Sequence, residues 1–162
     1  FKCTKGWGKA SLHEGGIRLP FIITCGSHIT PGTSDYAGQF VDIMPTLAEL
    51  AGVEAPANDG ISLVPTMTGR KQPQHDYLYW EYPSAGGMIA VREGKWKGLI
   101  LDVHKGNRTM KLFDVSVPGK DIEFDDKDVA AAHPEIVERM WGYIEQSHHL
   151  AEYEPFNIDI TR

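Results

Sequence analysis

The residue types best suited to chemistry stand in the first twenty positions. Residues 9–20 read Lys-Ala-Ser-Leu-His-Glu-Gly-Gly-Ile-Arg-Leu-Pro, so charged side chains flank two glycines at which the backbone can turn tightly. Residues 1–18 carry a net charge of +3, from Lys2, Lys5, Lys9, Glu14 and Arg18. A lysine ammonium is a compact charge that suits a tetrahedral oxyanion. This end of the chain therefore suits an anion, although Lys9 taken alone is more typical of an ordinary surface lysine than of an anion contact.

This run resembles the Lys-x-x-x-x-Glu-Gly-Gly-x-Arg-x-Pro segment of the sulfatase family, an arylsulfatase-like group in the alkaline-phosphatase superfamily. The resemblance implies that Lys9 reaches the bound sulfate, whereas Glu14 and Arg18 lie near the active site in structural roles. We expect Arg18 to pair with Glu14. Further segments resemble the C-terminal portion of the family in the same order: they are residues 42–52, 59–69, and 78–81 with 90–97. Together with the motif around Lys9, the resemblance covers roughly residues 5–115.

The sequence lacks the groups that the family uses for its chemistry. The resemblance implies a formylglycine nucleophile, made from Cys/Ser-x-Pro-x-Arg, and a calcium ion held by carboxylates of distant segments. Cys3 is followed by Thr-Lys-Gly and Cys25 by Gly-Ser-His, so neither cysteine has the motif. We expect no cofactor and no metal ligand in this chain, an inactive isolated chain, and calcium with formylglycine in a longer parent protein. Cys3 and Cys25 are as consistent with two thiols as with a disulfide.

Composition narrows the classes of partner. The chain has 162 residues, 41% of them hydrophobic, which is enough for a real core. Its net charge of −6 argues against a nucleic-acid partner. No run approaches the roughly 20 apolar residues of a membrane helix. The acidic stretch predicts a solvated loop, because it lacks the spacing, central glycine and closing glutamate of a calcium loop; its residues are Asp121, Glu123, Asp125, Asp126 and Asp128.

The first part of the chain, residues 1–72, is predicted to be a strand and helix remnant of the large α/β domain of a sulfatase. Residues 21–24 are β-branched and apolar, which predicts a strand buried on both faces. A helix is expected over residues 43–51, with Asp42 as its N-cap and Gly52 closing it. We expect the apolar surface of residues 1–52 to favour a homodimer.

The second part, residues 73–162, is predicted to be a four-stranded antiparallel sheet packed on a long helix, which makes the chain α+β. The predicted strands are residues 77–82, 88–93, 96–103 and 111–115, and the helix is 134–149. Trp80, Trp96 and Trp141 are interpreted as core aromatics, with sugar stacking as the alternative. By resemblance to the family, His75 and Tyr82 are candidate substrate contacts at the tip of the sheet.

Three hypotheses of function follow. The chain is the C-terminal portion of a sulfatase that hydrolyses a sulfate ester of a sugar or aryl compound. Alternatively, it belongs to a related hydrolase of phosphate or phosphonate esters, or it is a binding or scaffold module without chemistry. The Glu-Gly-Gly-x-Arg run favours sulfate. By family resemblance, the parent protein is expected to be periplasmic or secreted.

Overall fold

The structure, a computed structural model, describes residues 8–117 and 122–162. In chain order its helices and strands are α1 (Glu14–Ile17), α2 (Ile43–Ala51), α3 (Val64–Met67), β1 (Leu78–Tyr82), β2 (Met88–Glu93), β3 (Trp96–Leu101), β4 (Lys111–Asp114) and α4 (Pro134–Ser147). Short 3₁₀ turns lie at Gly26–His28, Phe40–Asp42, Val103–Lys105, Asp125–Lys127, Ala130–Ala132 and Glu154–Phe156. The predicted α+β class is confirmed.

The sheet is the antiparallel meander that the turn signals predicted. Among the described residues its strands lie in the order β1-β2-β3-β4. The turn between β2 and β3 places Gly94 at a φ of 55°, where a residue with a side chain is strained. The register pairs Leu78 with Arg92, Met88 with Leu101 and Trp96 with Asp114. Strand β3 ends before the predicted Val103, because the chain turns there into a 3₁₀ segment.

One face of the sheet packs against α4. Alternate residues of β2 and β3, including Ile89, Val91 and Ile100, point to this side and are almost fully buried. The helix contributes one apolar stripe at the spacing of a helical face. Its buried residues are Ile136, Met140, Trp141 and Ile144. This layer is the predicted packing of sheet on helix.

The opposite face of the sheet is covered by the segment that carries the charged motif. Leu12 packs with Ala90, Leu99 and Phe113, and Ile17 adds to the same cluster. The sequence predicted a cover on one side of the sheet, and that expectation was incomplete. Both faces of β2 and β3 are apolar, so both must be shielded from water.

Residues between Phe21 and Asp76 form a separate group around α2 and α3. Thr46, in α2, donates to the carbonyl oxygen of Asp42 and accepts the backbone N–H of Leu63, at 2.5 Å and 2.8 Å. The predicted strand at residues 21–24 is wrong: these residues have no ladder partner, and Ile22 is 87% exposed. A strand buried on both faces needs neighbouring strands, and the described residues supply none at this position.

The chain divides into two compact units. One contains the described residues up to Pro20 together with Tyr77–Arg162, and the other is Phe21–Asp76. The grouping differs from a simple boundary between residues 72 and 73, because the burial of Leu12 places the motif with the sheet. The division of the parent protein into domains 1–72 and 73–162 stays a prediction.

Candidate functional site

Lys9 lies exposed at the start of the motif, immediately before a buried run. Residues 11–14 are each at most 6% exposed. Between Lys9 and this run stands Ala10 at a φ of 64°, a left-handed conformation that residues other than glycine adopt rarely. Such a conformation persists where the surrounding structure holds it. The lysine is therefore presented to solvent from a constrained turn.

The turn around Lys9 lies against Gly16 of α1. A Cβ atom at Gly16 would stand 2.1 Å from the carbonyl oxygen of Ser11 and 2.6 Å from that of Gly8. These distances leave no room for any side chain, so backbone must pack directly on backbone here. The second glycine of the Glu-Gly-Gly run is required by this close approach.

Glu14 belongs to a buried ion cluster that joins the motif to the sheet. The Nζ atom of Lys97, on β3, lies 3.0 Å from Oε1 of Glu14 and 2.7 Å from Oε1 of Glu123. The backbone N–H of Glu14 donates to Oε2 of Glu123 at 2.6 Å. The Lys97 side chain is 0% exposed. Burial raises the pKa of Glu123, and the nearby Lys97 charge opposes that rise.

Arg18 supplies a second cation to the cluster. Its Nη1 atom lies 3.4 Å from Oε2 of Glu14, and its side chain is partly exposed. The expected pairing of Arg18 with Glu14 is therefore present. With Lys97 and Arg18 positive and Glu14 and Glu123 negative, the formal charges of the cluster balance, as buried charges require.

His13 lies beside the cluster and is 4% exposed. Its Nδ1 atom is 2.6 Å from Oγ of Ser11. Burial, together with the positive charges of Lys97 and Lys111, lowers the pKa of His13 to about 4. The imidazole is therefore neutral at neutral pH.

The two other candidates lie in different units of the chain. In the unit Phe21–Asp76, Nε2 of His75 donates to Oδ1 of Asp42 at 2.8 Å, and the His75 side chain is 10% exposed. In the unit that holds the sheet, Tyr82 ends β1 and packs against the cluster of Met88, Ala90 and Leu99.

Comparisons with known proteins agree with the motif. Residues 5–149 match the family described as N-sulphoglucosamine sulphohydrolase, C-terminal. The chain belongs to this sulfatase family. It is 40% identical over 95 residues to arylsulfatase A from Bos taurus, covering 56% of this chain and 19% of that protein. Choline-sulfatase from Rhizobium meliloti (strain 1021) is 38% identical over 96 residues, with coverage of 56% and 19%.

The similarity extends to a third named sulfatase. Steryl-sulfatase from Rattus norvegicus is 38% identical over 77 residues, covering 44% of this chain and 13% of that protein. The chain thus spans about a fifth or less of the length of these sulfatases. The match to the C-terminal family accounts for that share.

Two members of the ion cluster, Lys97 and Glu123, differ from what the sequence predicts. Glu123 was assigned to a solvated acidic loop, and this is wrong, because Glu123 is 4% exposed and contacts Lys97 and the N–H of Glu14. Lys97 is not among the site residues that the sequence predicts. A signal for it existed: the lysine follows Trp96 and precedes Leu99 and Ile100 within a strand of apolar residues.

Trp80, Trp96 and Trp141 pack in the core of the unit that holds the sheet. Trp141 is 3% exposed within the helix-side cluster, and Trp96 packs against that cluster. Trp80 packs against the cluster on the motif side of the sheet. Their interpretation as core aromatics agrees with these contacts.

Neither a metal cluster nor a membrane span is present in the described part of the sulfatase chain. In residues 8–117 and 122–162, no three His, Cys, Asp or Glu residues are grouped so that they could hold a metal ion. Within the same ranges, no helix has the length and apolarity needed to cross a membrane. Cys25 is an exposed free thiol, whereas Cys3 and Asp121 lie outside the described residues.

Proposed function

We propose that the chain is the C-terminal part of a sulfatase that hydrolyses sulfate esters of sugar or aryl compounds, with Lys9 contacting the sulfate. The observation that carries this proposal is the family motif itself: an exposed Lys9 held in a constrained turn, five residues before a buried Glu14. A lysine ammonium can donate charge-assisted hydrogen bonds to sulfate oxygens. Such a contact stabilises negative charge that develops on the sulfate during ester cleavage.

The remaining catalytic groups of the proposed reaction would come from other segments of a longer protein. The described residues do not fit a calcium site, and neither cysteine has the formylglycine motif. We propose that calcium and formylglycine are held elsewhere in the full-length sulfatase, as the family resemblance implies. The part of this chain is to orient the sulfate and to neutralise its charge.

Sulfate rather than phosphate is the favoured ester. Each of the named relatives above is a sulfatase, and the family description names a sulphohydrolase. A direct comparison of an aryl sulfate with the matching aryl phosphate would separate the two esters. Preferential hydrolysis of the phosphate would overturn the proposal.

Substrate contacts by His75 and Tyr82 also stay predictions. For His75 such a contact has to coexist with its hydrogen bond to Asp42. We further propose that the isolated chain forms a homodimer through residues 1–52, because the apolar residues Phe21, Ile22 and Phe40 are strongly exposed.

The role of Lys9 can be tested in the full-length enzyme. We expect Lys9→Ala to lower turnover of an aryl sulfate by about 100-fold to 1,000-fold, the usual loss when one contact to a developing anion is removed. The matched control is Lys71→Ala, because Lys71 is an exposed lysine in a polar loop. Steady-state kinetics of both variants decide the matter, and equal activity would show that Lys9 does not contact the sulfate.

A further inference from the structure

A continuous series of short contacts connects β3 to the turn that carries Lys9. Lys97 and Glu123 hold Glu14 through its carboxylate and its backbone N–H. Glu14 begins α1, and Gly16 in the same turn of helix lies against the backbone that flanks Lys9. The path runs through an ion pair, one helical turn and backbone packing. None of these steps has much freedom to absorb a displacement.

We propose that Lys97 and Glu123 are positioning residues, which fix the location of Lys9 relative to a bound sulfate ester. This inference rests on the sulfatase function proposed above. Both side chains are buried, at 0% and 3% exposed, so they act through Glu14 rather than by touching substrate. A displacement of about 1 Å in a binding group can lower the rate of a reaction by about 100-fold.

Stability alone gives a weak account of this ion cluster. Lys97 shares its face of β3 with Leu99, whose side chain is packed in an apolar cluster. Apolar residues of similar volume often replace a buried ion cluster at no loss of stability. What an apolar residue could not do is bind both the carboxylate of Glu14 and the carboxylate of Glu123. A directional ionic contact fixes the register of α1 on the sheet more narrowly than apolar packing does.

A double-mutant cycle in the full-length enzyme tests whether Lys97 acts through Lys9. We expect Lys97→Met to lower kcat/KM for an aryl sulfate by about 100-fold. The double variant Lys97→Met/Lys9→Ala should be no worse than Lys9→Ala, because the positioned group is then already missing. Losses that multiply would show that Lys97 acts independently of Lys9, and would overturn the proposal.

Two further variants serve as a control for the loss of a charge and as a substitute if Lys97→Met does not fold. Lys95→Met removes an exposed charge next to β3, where Lys95 pairs with Asp114, and should leave kcat/KM unchanged. Glu123→Gln keeps an acceptor for the Glu14 N–H and removes one charge. If Lys97→Met does not fold, the same cycle is measured with Glu123→Gln and Lys9→Ala. The proposal again requires that the double variant be no less active than Lys9→Ala alone.

Limited proteolysis of the 162-residue chain gives a readout that does not depend on turnover. Trypsin cleaves after lysine, so loosening of the turn should raise the rate of cleavage after Lys9. We expect the ratio of cleavage after Lys9 to cleavage after the exposed Lys105 to rise severalfold in Lys97→Met and to stay unchanged in Lys95→Met. An unchanged ratio in Lys97→Met would refute the positioning role. Absence of sulfate-ester hydrolysis in the wild-type enzyme would instead refute the proposed function.

Discussion

His13 is a buried titratable residue next to the ion cluster. It lies among positive charges, from Lys97 and Lys111, and its ring contacts Ser11. Its pKa is about 4 in the folded chain, against an ordinary value of 6.5. Between about pH 6.5 and about pH 4, His13 is therefore mostly protonated in the unfolded chain and mostly neutral in the folded chain.

This difference predicts a specific sensitivity to acid. As the pH falls from about 6.5 to about 4, the unfolded state gains the proton on His13 first, so the free energy of unfolding decreases. The decrease from this residue should approach about 3 kcal/mol. In His13→Gln this decrease should be absent when the free energy of unfolding is measured by urea denaturation between about pH 6.5 and about pH 4. Parallel curves for the two proteins would contradict the prediction.

Glu123 makes this comparison between variants necessary. Its pKa is raised in the folded state, so its contribution runs the other way: stability from Glu123 is present at low pH and is lost as the pH rises through the folded pKa. In the wild type, the change of the free energy of unfolding with pH combines the contributions of His13 and Glu123. The difference between wild type and His13→Gln isolates the histidine.

Single residues were predictable where their partners are near in sequence. Lys9, Glu14 and Arg18 stand within one short run, and the pairing of Arg18 with Glu14 spans four residues. The contacts of Glu14 with Lys97 and Glu123 span 83 and 109 residues. No local pattern encodes such pairs, because they depend on which strand faces the motif in the folded chain.

Among the elements, hydrophobic periodicity predicted the helices and strands that carry their own packing partners. Helix α2 has the predicted bounds, and α4 begins at the predicted Pro134. The strand predicted at residues 21–24 is absent, because the apolar run has no neighbouring strand in the described chain. Local sequence marks a segment as suited to a sheet, whereas the sheet itself needs a partner.

Asp42 shows a similar limit at the start of α2. It was predicted as the N-cap of this helix, yet its side chain bonds elsewhere. Its Oδ2 accepts the backbone N–H of Gln39 at 2.9 Å, and its Oδ1 accepts the N–H of Ile61 and Nε2–H of His75, both at 2.8 Å. One fully buried carboxylate thus connects three segments of the unit Phe21–Asp76.

Removing that carboxylate should loosen this unit. Asp42→Ala leaves three donors without their acceptor, at a cost of about 1–3 kcal/mol for each buried donor. We expect hydrogen exchange to accelerate at the amides of Gln39 and Ile61, which donate to the Asp42 carboxylate. Asp59→Ala, at an exposed position of the same unit, is the control and should leave these rates unchanged. Equal rates in Asp42→Ala and the wild type would show that the three bonds do not hold the unit together.

Considered as a whole molecule, the chain distributes its burial unevenly. The sheet is packed on both faces, whereas the unit Phe21–Asp76 exposes large apolar side chains. Phe40 is 91% exposed and lines a groove of about 670 Å³ with Met44 and Leu47. Contiguous apolar surface of this kind is rare on a stable monomer.

We therefore expect the isolated chain to self-associate. Light scattering should give a dimeric mass for the 162-residue chain and a monomeric mass after joint replacement of Ile22, Phe40 and Leu47 by Ser, because each of these side chains is exposed and apolar. The control is Leu150→Ser, which changes an exposed leucine in the unit that holds the sheet. A triple variant that still dimerises would place the interface outside residues 1–52.

Truncation before the sheet would be a poor substitute for that experiment. A chain that starts near Pro73 lacks Leu12 and Glu14, which would uncover one face of the sheet and leave Lys97 with a single carboxylate. Its association state would then report on newly exposed surface.

The distance in sequence between Glu14 and Glu123 also sets an order of events during synthesis. A ribosome adds about 5–20 residues per second, so Glu123 follows Glu14 by several seconds or more. The strands that cover Leu12 and the ion-pair partner Lys97 are also made long after the motif, so the nascent motif waits for both its apolar cover and its ionic partners. The segment that carries Lys9 is thus made early and ordered late, which leaves its apolar side chain Leu12 without a cover in the interval.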